Sequence, residues 1–163
     1  MPDRETLERA REDAREGKAP STQAGEFVHE EIEHVREGKH GARSTKQAIA
    51  IGLSKARRAG VKLPPEKGAP ASTVAQEKRD LAKGKKRGRK VSAKRSRAVR
   101  AALKKEGRSA VSSKALAKQA RTSARKRTAT QRSDSAKKAV RTKGPAGRKA
   151  AARKAARTRA RTG

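Results

Sequence analysis

The small number of large apolar side chains limits what this chain can fold into more than any other feature. Of its 163 residues, only 18 are Val, Ile, Leu or Phe, and none is Trp or Tyr. Alanine accounts for 32 residues, but a methyl side chain buries little surface. Chains with less than about 20% of those four apolar types and a high net charge are typically disordered. We therefore do not expect one domain that spans the whole length.

The charge is distributed unevenly along the chain. Residues 1–37 hold 11 acidic and 6 basic residues, whereas residues 81–163 hold 31 basic residues and only 2 acidic ones. The formal net charge of the whole chain is +31, so nearly all of the excess lies in the second half. Such an asymmetry indicates a small structured module followed by a basic interaction segment.

Apolar spacing and helix-end signals predict three helices in the first half, over about residues 3–16, 25–37 and 45–59. The first two end at Gly17-Lys18 and Gly38-Lys39, and a Ser-Thr pair follows each of these junctions. Ser44 and Gln47 have capping-box spacing at the start of the third helix. The large apolar side chains of residues 1–63 are too few to offset the entropy of ordering this module. We therefore expect weak self-association through the module, or a bound partner.

These observations predict an all-α chain in three parts. Residues 1–63 form a small N-terminal helical module of two or three short helices, and residues 64–91 form a linker with a basic cluster. Residues 92–163 form a basic Ala/Lys/Arg-rich tail that is largely disordered, with transient Ala-rich helices. Disorder is predicted because like charges recur four residues apart along the tail, as at Arg153 and Arg157. Repulsion within these pairs together destabilises the free helices by roughly 1.5–3.5 kcal/mol.

The basic tail points to a polyanionic partner, because Lys and Arg side chains that neutralise phosphates release condensed counterions. Duplex DNA is the expected partner, and RNA is the alternative. The residues predicted to bind nucleic acid are Lys85, Lys86, Arg87, Arg89, Lys90, Lys94, Arg95, Arg97, Arg100, Lys104, Lys105, Arg121, Arg125, Lys126, Arg127, Arg148, Lys149, Arg153, Lys154 and Arg157. A weaker secondary contact is predicted on the third helix, at Lys46, Lys55, Arg57 and Arg58.

Two details bear on how nucleic acid would be bound. Arg87-Gly88-Arg89 resembles the core of an AT-hook, which inserts arginines into a narrow minor groove; simple contact with the phosphate backbone is the alternative interpretation. Single-strand and RNA modules usually stack bases on aromatic rings, but Phe27 is the only aromatic residue. This favours binding to a duplex through its backbone.

The sequence favours neither catalysis, nor a cofactor, nor a metal. There is no cysteine, and His29 and His34 are five residues apart, so they do not share a helix face as the paired histidines of zinc proteases do. The longest run of apolar residues and glycine, residues 48–53, is too short to cross a membrane. An acidic N-terminal stretch without an apolar region predicts neither a secretory signal nor a transit peptide, so we expect a cytoplasmic protein.

Two resemblances add to this interpretation. Residues Lys46–Ile51, followed by Leu53, Ser54, Ala56 and Arg57, resemble the Lys-Gln-Ala-Ile-Ala-Ile and Leu-Ser-x-Ala-Arg segments of a small bacterial family of unknown function. The tail is similar in composition to those of linker histones and of histone-like bacterial nucleoid proteins, although no strand pattern for a winged-helix domain precedes it. The second resemblance implies a nucleoid-associated protein.

We therefore expect a non-enzymatic, histone-like protein that binds DNA through backbone electrostatics without sequence specificity. One alternative is an RNA- or ribosome-associated basic protein. Another is a protein-interaction module whose basic tail serves only to localise it. The acidic residues within 1–37 are interpreted as a solvated helix surface, with competition against DNA for the basic tail as the alternative.

Overall fold

The computed structural model describes residues 2–64, 69–85 and 92–162, with the side chains of residues 161 and 162 excepted. The helices are α1 (Arg4–Arg15), α2 (Pro20–Arg36), α3 (Thr45–Arg58), α4 (Ala71–Lys85), α5 (Ala93–Lys104), α6 (Ser113–Lys126) and α7 (Ala129–Thr162), and a short 3₁₀ turn (Ser109–Val111) precedes α6. The described residues contain no strand, which confirms the predicted all-α class for this part of the chain. None of the helices in the described ranges is both long enough and apolar enough to span a membrane.

The ends of the first helices follow from local signals in the sequence. Gly17 and Gly38 have φ angles of 70° and 78°, and these left-handed residues terminate α1 and α2. The amide after each glycine donates back across the helix end, from Lys18 to the Asp13 carbonyl and from Lys39 to the His34 carbonyl. At the start of α3, the Ser44 hydroxyl accepts from the Gln47 amide at 3.2 Å.

α2 begins five residues before its predicted start at residue 25. Pro20 occupies the first turn, where its fixed φ suits a helix and its missing N–H costs no hydrogen bond. Gly25 is therefore an interior residue of α2 and not its beginning.

Residues 1–119 form one compact unit, and two small apolar clusters hold it together. In the first cluster, Phe27 of α2 is only 1% exposed and packs with α1 and α3. Its other members are Ala10, Ala24, Ala56 and Val61, with Leu7, Leu53 and Leu63 packed against them. Much of this core is alanine, so the helices have to approach each other closely.

The second cluster joins residues that are far apart in the sequence. Val35 of α2 and Ala48 of α3 pack with Ala110 and Val111 of the 3₁₀ turn. The Thr45 hydroxyl donates to the Ala110 carbonyl at 2.5 Å, and the Gly41 amide donates to the Leu103 carbonyl at 2.9 Å. The start of the predicted tail is therefore part of the folded unit.

The predicted disordered tail is wrong, because α5, α6 and α7 are helical over nearly all of residues 93–162. Alanine, lysine and arginine are all strong helix formers, and their propensities summed over some 70 residues outweigh repulsion of a few kcal/mol. Side chains also cap these helices. Thr128 and Gln131 form a reciprocal capping box at the start of α7, and the Ser112 hydroxyl accepts from the Ala115 amide of α6.

The segment predicted to be a linker, residues 64–91, also contains regular structure. α4 occupies Ala71–Lys85 and packs on α3. A break does occur within α7, where Gly144 has a φ of 63° and Pro145 follows, so this helix consists of two segments. Residues 120–163 form a second unit, whose described side chains are nearly all exposed.

Candidate nucleic-acid interface

The cations of α3 are largely committed to ion pairs inside the folded unit. Arg57 is 8% exposed and donates to Glu77 of α4. Arg58 pairs with Asp80 of α4 at 3.0 Å, and Asp80 also accepts from the Ser54 hydroxyl at 2.7 Å. These contacts explain why α4 packs on α3: two buried carboxylates of α4 meet basic and hydroxyl groups of α3.

Lys55, also on α3, is held by two carboxylates of α2. Its Nζ lies 2.9 Å from Glu30 Oε1 and 2.7 Å from Glu31 Oε2. Burial opposes the charged form of Lys55, but the two carboxylates outweigh it and raise its pKa above the usual value. Burial likewise opposes ionisation of Glu30, yet hydrogen bonds from Lys55 and the Asp3 amide bring its pKa below the usual value.

The predicted secondary contact on α3 is therefore mostly occupied by intramolecular partners. Lys55 and Arg57 point into the folded unit, and Arg58 is half-exposed but paired with Asp80. Lys46 lies exposed near the start of α3. The pairing was not predicted from the sequence because Glu77 and Asp80 lie on α4, in the segment predicted to be a linker.

The basic residues of the second half are placed differently, on helix surfaces that face solvent. Every predicted nucleic-acid-binding residue within the described ranges is exposed. These residues are Lys85 on α4; Lys94, Arg95, Arg97, Arg100, Lys104 and Lys105 on or beside α5; Arg121, Arg125, Lys126 and Arg127 on or beside α6; and Arg148, Lys149, Arg153, Lys154 and Arg157 on α7. Lys86, Arg87, Arg89 and Lys90, which include the AT-hook-like sequence, lie outside the described residues.

The second segment of α7 has the simplest geometry of these surfaces. Residues 145–162 form a helical rod about 27 Å long that carries seven Lys or Arg residues and no acidic residue. At 100° per residue, its Lys and Arg positions are spread over roughly two thirds of the helix circumference, and the sequence has no apolar face. A helix of this kind has nothing to bury against a protein core, and its charge can be balanced only by anions from outside the segment.

A second chemical arrangement lies where α2 meets the loop before α3. Nitrogen and oxygen atoms of Glu31, His34 and His40 lie within 4.8 Å of one another, and so do atoms of Asp3, Glu30 and His34. From the sequence, His29 was considered as the partner of His34 in a metal site. In the structure, His29 is mostly exposed and lies near Glu33. The loop residue His40 takes its place, which no helix periodicity could indicate.

Comparison with known proteins yields one match. A model described as Family of unknown function (DUF6496) matches residues 19–67, which include α2, α3 and the loop between them. This agrees with the resemblance of residues 46–57 to an uncharacterised family, and it covers less than a third of the chain. No curated protein and no solved structure matches the chain.

Proposed function

We propose that the chain binds duplex nucleic acid, DNA in the first place, through the exposed cations of α5, α6 and α7. The observation that carries this proposal is the contrast between the two halves. Three of the four cations singled out on α3 contact carboxylates of the same folded unit, whereas residues 81–163 carry 31 basic residues against two acidic ones. Most of those charges have no carboxylate available within the segment.

The charge spacing supports binding along a phosphate backbone. The seven cations of residues 145–162 extend over about 27 Å, a length of duplex that carries about 16 phosphates. Because these cations are distributed around the helix axis, only those on the side facing a duplex would contact its phosphates, so this segment would engage fewer than seven. Because contacts of this kind position a protein without reading bases, we expect no sequence specificity.

Helical structure in the basic half changes the expected mode of binding. A flexible polycation loses conformational entropy when it is ordered on DNA, whereas preformed helices avoid part of this cost. The proposal is thus a histone-like coating or compaction of DNA by rigid basic helices. In a bacterial cell, the setting that the family resemblance implies, this corresponds to a nucleoid-associated protein.

Salt-dependent binding to a labelled duplex of 20 base pairs tests the proposal. The logarithm of the binding constant should fall linearly with the logarithm of salt concentration, by about 0.9 per phosphate engaged. Replacing Lys149, Arg153 and Arg157 with Gln should make this slope shallower. For each phosphate that the variant no longer neutralises, binding should weaken about eightfold at 0.1 M salt. These side chains are exposed on α7, so helix content should be unchanged.

A matched control separates a local interface from net charge alone. Replacing exposed Arg11, Arg15 and Lys62 with Gln lowers the net charge of +31 by the same amount, but in the helical module. This variant should bind with nearly the wild-type slope. Equal weakening by both triple variants, or a slope near zero for the wild type, would contradict the proposal. Much tighter binding to an RNA duplex or hairpin of equal length would favour the RNA-associated alternative.

A further inference from the structure

A cluster of three side chains, Glu31, His34 and His40, lies outside the basic surfaces and is called the His–Glu cluster below. Glu31 and His34 are one turn apart near the end of α2, and His40 lies in the loop that follows. Glu31 is fully buried, and the side chains of His34 and His40 are 13% and 19% exposed. All three residues fall within the part of the chain that the family model matches.

The hydrogen bonding of Glu31 is the first observation that indicates a bound ligand at the His–Glu cluster. Lys55 Nζ and His40 Nε2 lie 2.7 Å and 3.2 Å from its carboxylate oxygens. Oε2 has Lys55 as its ion-pair partner, whereas Oε1 accepts no hydrogen bond of acceptable geometry from the described residues. Fully buried carboxylates normally have their lone pairs satisfied, because an unsatisfied one carries a desolvation penalty.

His40 supplies an independent observation. Its Nδ1 lies 3.1 Å from the Gly41 carbonyl oxygen, which can only accept, so Nδ1 carries a proton and donates it. In the neutral ring, Nε2 then presents a lone pair to Glu31 Oε1 at 3.2 Å. Two acceptors facing each other at that distance repel unless a proton or a cation lies between them.

His34 has a matching orientation. Its Nε2 lies 3.1 Å from the Asp3 carboxylate, whose pKa is lowered by this hydrogen bond. Donation from Nε2 leaves Nδ1 as the nitrogen with the lone pair, and Nδ1 lies 3.9 Å from Glu30 Oε1 at the edge of the cluster. A carboxylate or carbonyl behind the far nitrogen is the arrangement that orients histidines toward metals, and both His34 and His40 have one.

The local charge also calls for a cation. Glu30 and Glu31 contribute two buried negative charges, and Lys55 contributes one positive charge; Asp3 is 56% exposed and also interacts with Lys39. With neutral imidazoles, one negative charge remains in this buried region, where uncompensated charge is costly. A bound cation would compensate it.

We propose that Glu31, His34 and His40 bind one divalent transition-metal ion of the zinc class. Two imidazoles and one carboxylate are a known donor set for zinc, which leaves a fourth position for water. Tetrahedral ligands at zinc are separated by about 3.3 Å, close to the 3.2 Å between His40 Nε2 and Glu31 Oε1. Glu31 Oε1 faces the ion, and Oε2 keeps Lys55 as its partner.

The position of His40 bears both on how an ion would reach the cluster and on what a bound ion would stabilise. This residue lines a cleft between residues 37–41 and 104–108 and is 19% exposed, so its ring is accessible from solvent. The loop that carries His40 also pairs with the start of the basic half, through the Gly41 amide and the Leu103 carbonyl. Bound metal would hold this loop against α2 and stabilise that junction.

Zinc titration of the full-length protein against a chromophoric chelator tests the proposal. The wild type should bind one equivalent, and its thermal unfolding midpoint should rise with zinc concentration. His40→Gln should lose more than about 100-fold in affinity, beyond the 10–100-fold typical of residues that only orient a ligand. His29→Gln is the matched control, because that histidine is on the same helix but outside the cluster, and it should bind as the wild type does.

Imidazole nitrogen shifts measured by NMR on the wild type make the test independent of any variant's folding. Zinc should shift His40 Nε2 and one nitrogen of His34 while leaving His29 unchanged. A protonated Nε2 that zinc does not perturb would overturn the proposal and leave an imidazolium–carboxylate pair in its place. Equal loss of affinity in His29→Gln and His40→Gln would likewise overturn it, since that pattern indicates adventitious surface binding.

Discussion

The Arg57 guanidinium donates a hydrogen bond of 2.5 Å to the Glu77 carboxylate, and this buried ion pair joins α3 to α4. The pair is enclosed, with side-chain exposures of 9% and 11%. Two further buried atoms of the pair, Arg57 Nε and Glu77 Oε2, have no hydrogen-bond partner among the described residues. Each buried charge is therefore compensated by the other residue of the pair, and the packing of α4 on α3 depends on both residues.

Removal of one member of this pair should be strongly destabilising. Glu77→Gln leaves the Arg57 charge buried without a counterion, and we expect a loss of about 3–5 kcal/mol in the free energy of unfolding. The same substitution at Glu8, in the exposed Arg4–Glu8 pair of α1, should cost at most about 0.5 kcal/mol. Urea denaturation monitored by circular dichroism measures both. Similar values for the two variants would show that the Arg57–Glu77 pair is not a structural contact.

Two glycine-to-alanine substitutions should have opposite effects. A Cβ at Gly52 of α3 would lie 2.7 Å from Val28 Cα of α2, so Gly52→Ala should force the helices apart and cost about 1–3 kcal/mol. At Gly25, an added Cβ meets nothing within 4 Å, so Gly25→Ala should stabilise α2 by about 0.5–1 kcal/mol. Thermal unfolding of both variants is the measurement, and stabilisation by Gly52→Ala would mean that α2 and α3 do not cross closely there.

A valine pair tests whether the start of the basic half is packed on the helical module. Val111 is 1% exposed against α2 and α3, so Val111→Ala should cost about 2 kcal/mol. Val99 of α5 is 52% exposed, and Val99→Ala should change stability by less than about 0.5 kcal/mol. Denaturant unfolding of the full chain measures the change in the free energy of unfolding for both variants. Equal, small changes would show that residues 103–111 do not pack on the helical module.

Acid should weaken the contact between α3 and α4 through Asp80. Burial opposes ionisation of this residue, but hydrogen bonds from Ser54 and Arg58 outweigh it, and its pKa lies below the ordinary value. A carboxyl with a lowered folded-state pKa adds stability that is present above about pH 4 and is lost as the pH falls through the folded-state pKa. Asp80→Asn should therefore cost about 1.5–3 kcal/mol at pH 7 and progressively less below pH 4.

The control for this pH dependence is Asp134→Asn, because Asp134 is an exposed carboxylate on α7. Its effect on stability should stay within about 0.5 kcal/mol at both pH values. Urea titrations at pH 7 and pH 3 compare the two variants with the wild type. A deficit for Asp80→Asn that is as large at pH 3 as at pH 7 would exclude an electrostatic role for Asp80.

Signals within a few residues of one another explain the parts of the fold that were predicted from sequence. The Gly17 and Gly38 helix ends and the Ser44 cap were expected, and α1 and α3 lie within a residue of their predicted bounds. The same kind of signal is present at Thr128 and Gln131, whose capping box opens α7. Pairwise charge repulsion favours the disordered tail expected from the sequence, but the summed helix propensity of Ala, Lys and Arg outweighs it.

The sequence by itself determined the charge asymmetry, the all-α class and the exposure of the tail cations, since these depend on composition and on neighbours within one helical turn. Only the tertiary structure decided which charges remain available. It placed Arg57 beside Glu77 and Lys55 beside Glu31, docked Ala110 against Thr45, and brought His40 to His34 and Glu31. Such contacts depend on how helices cross and where loops return, and no periodicity along the chain encodes them.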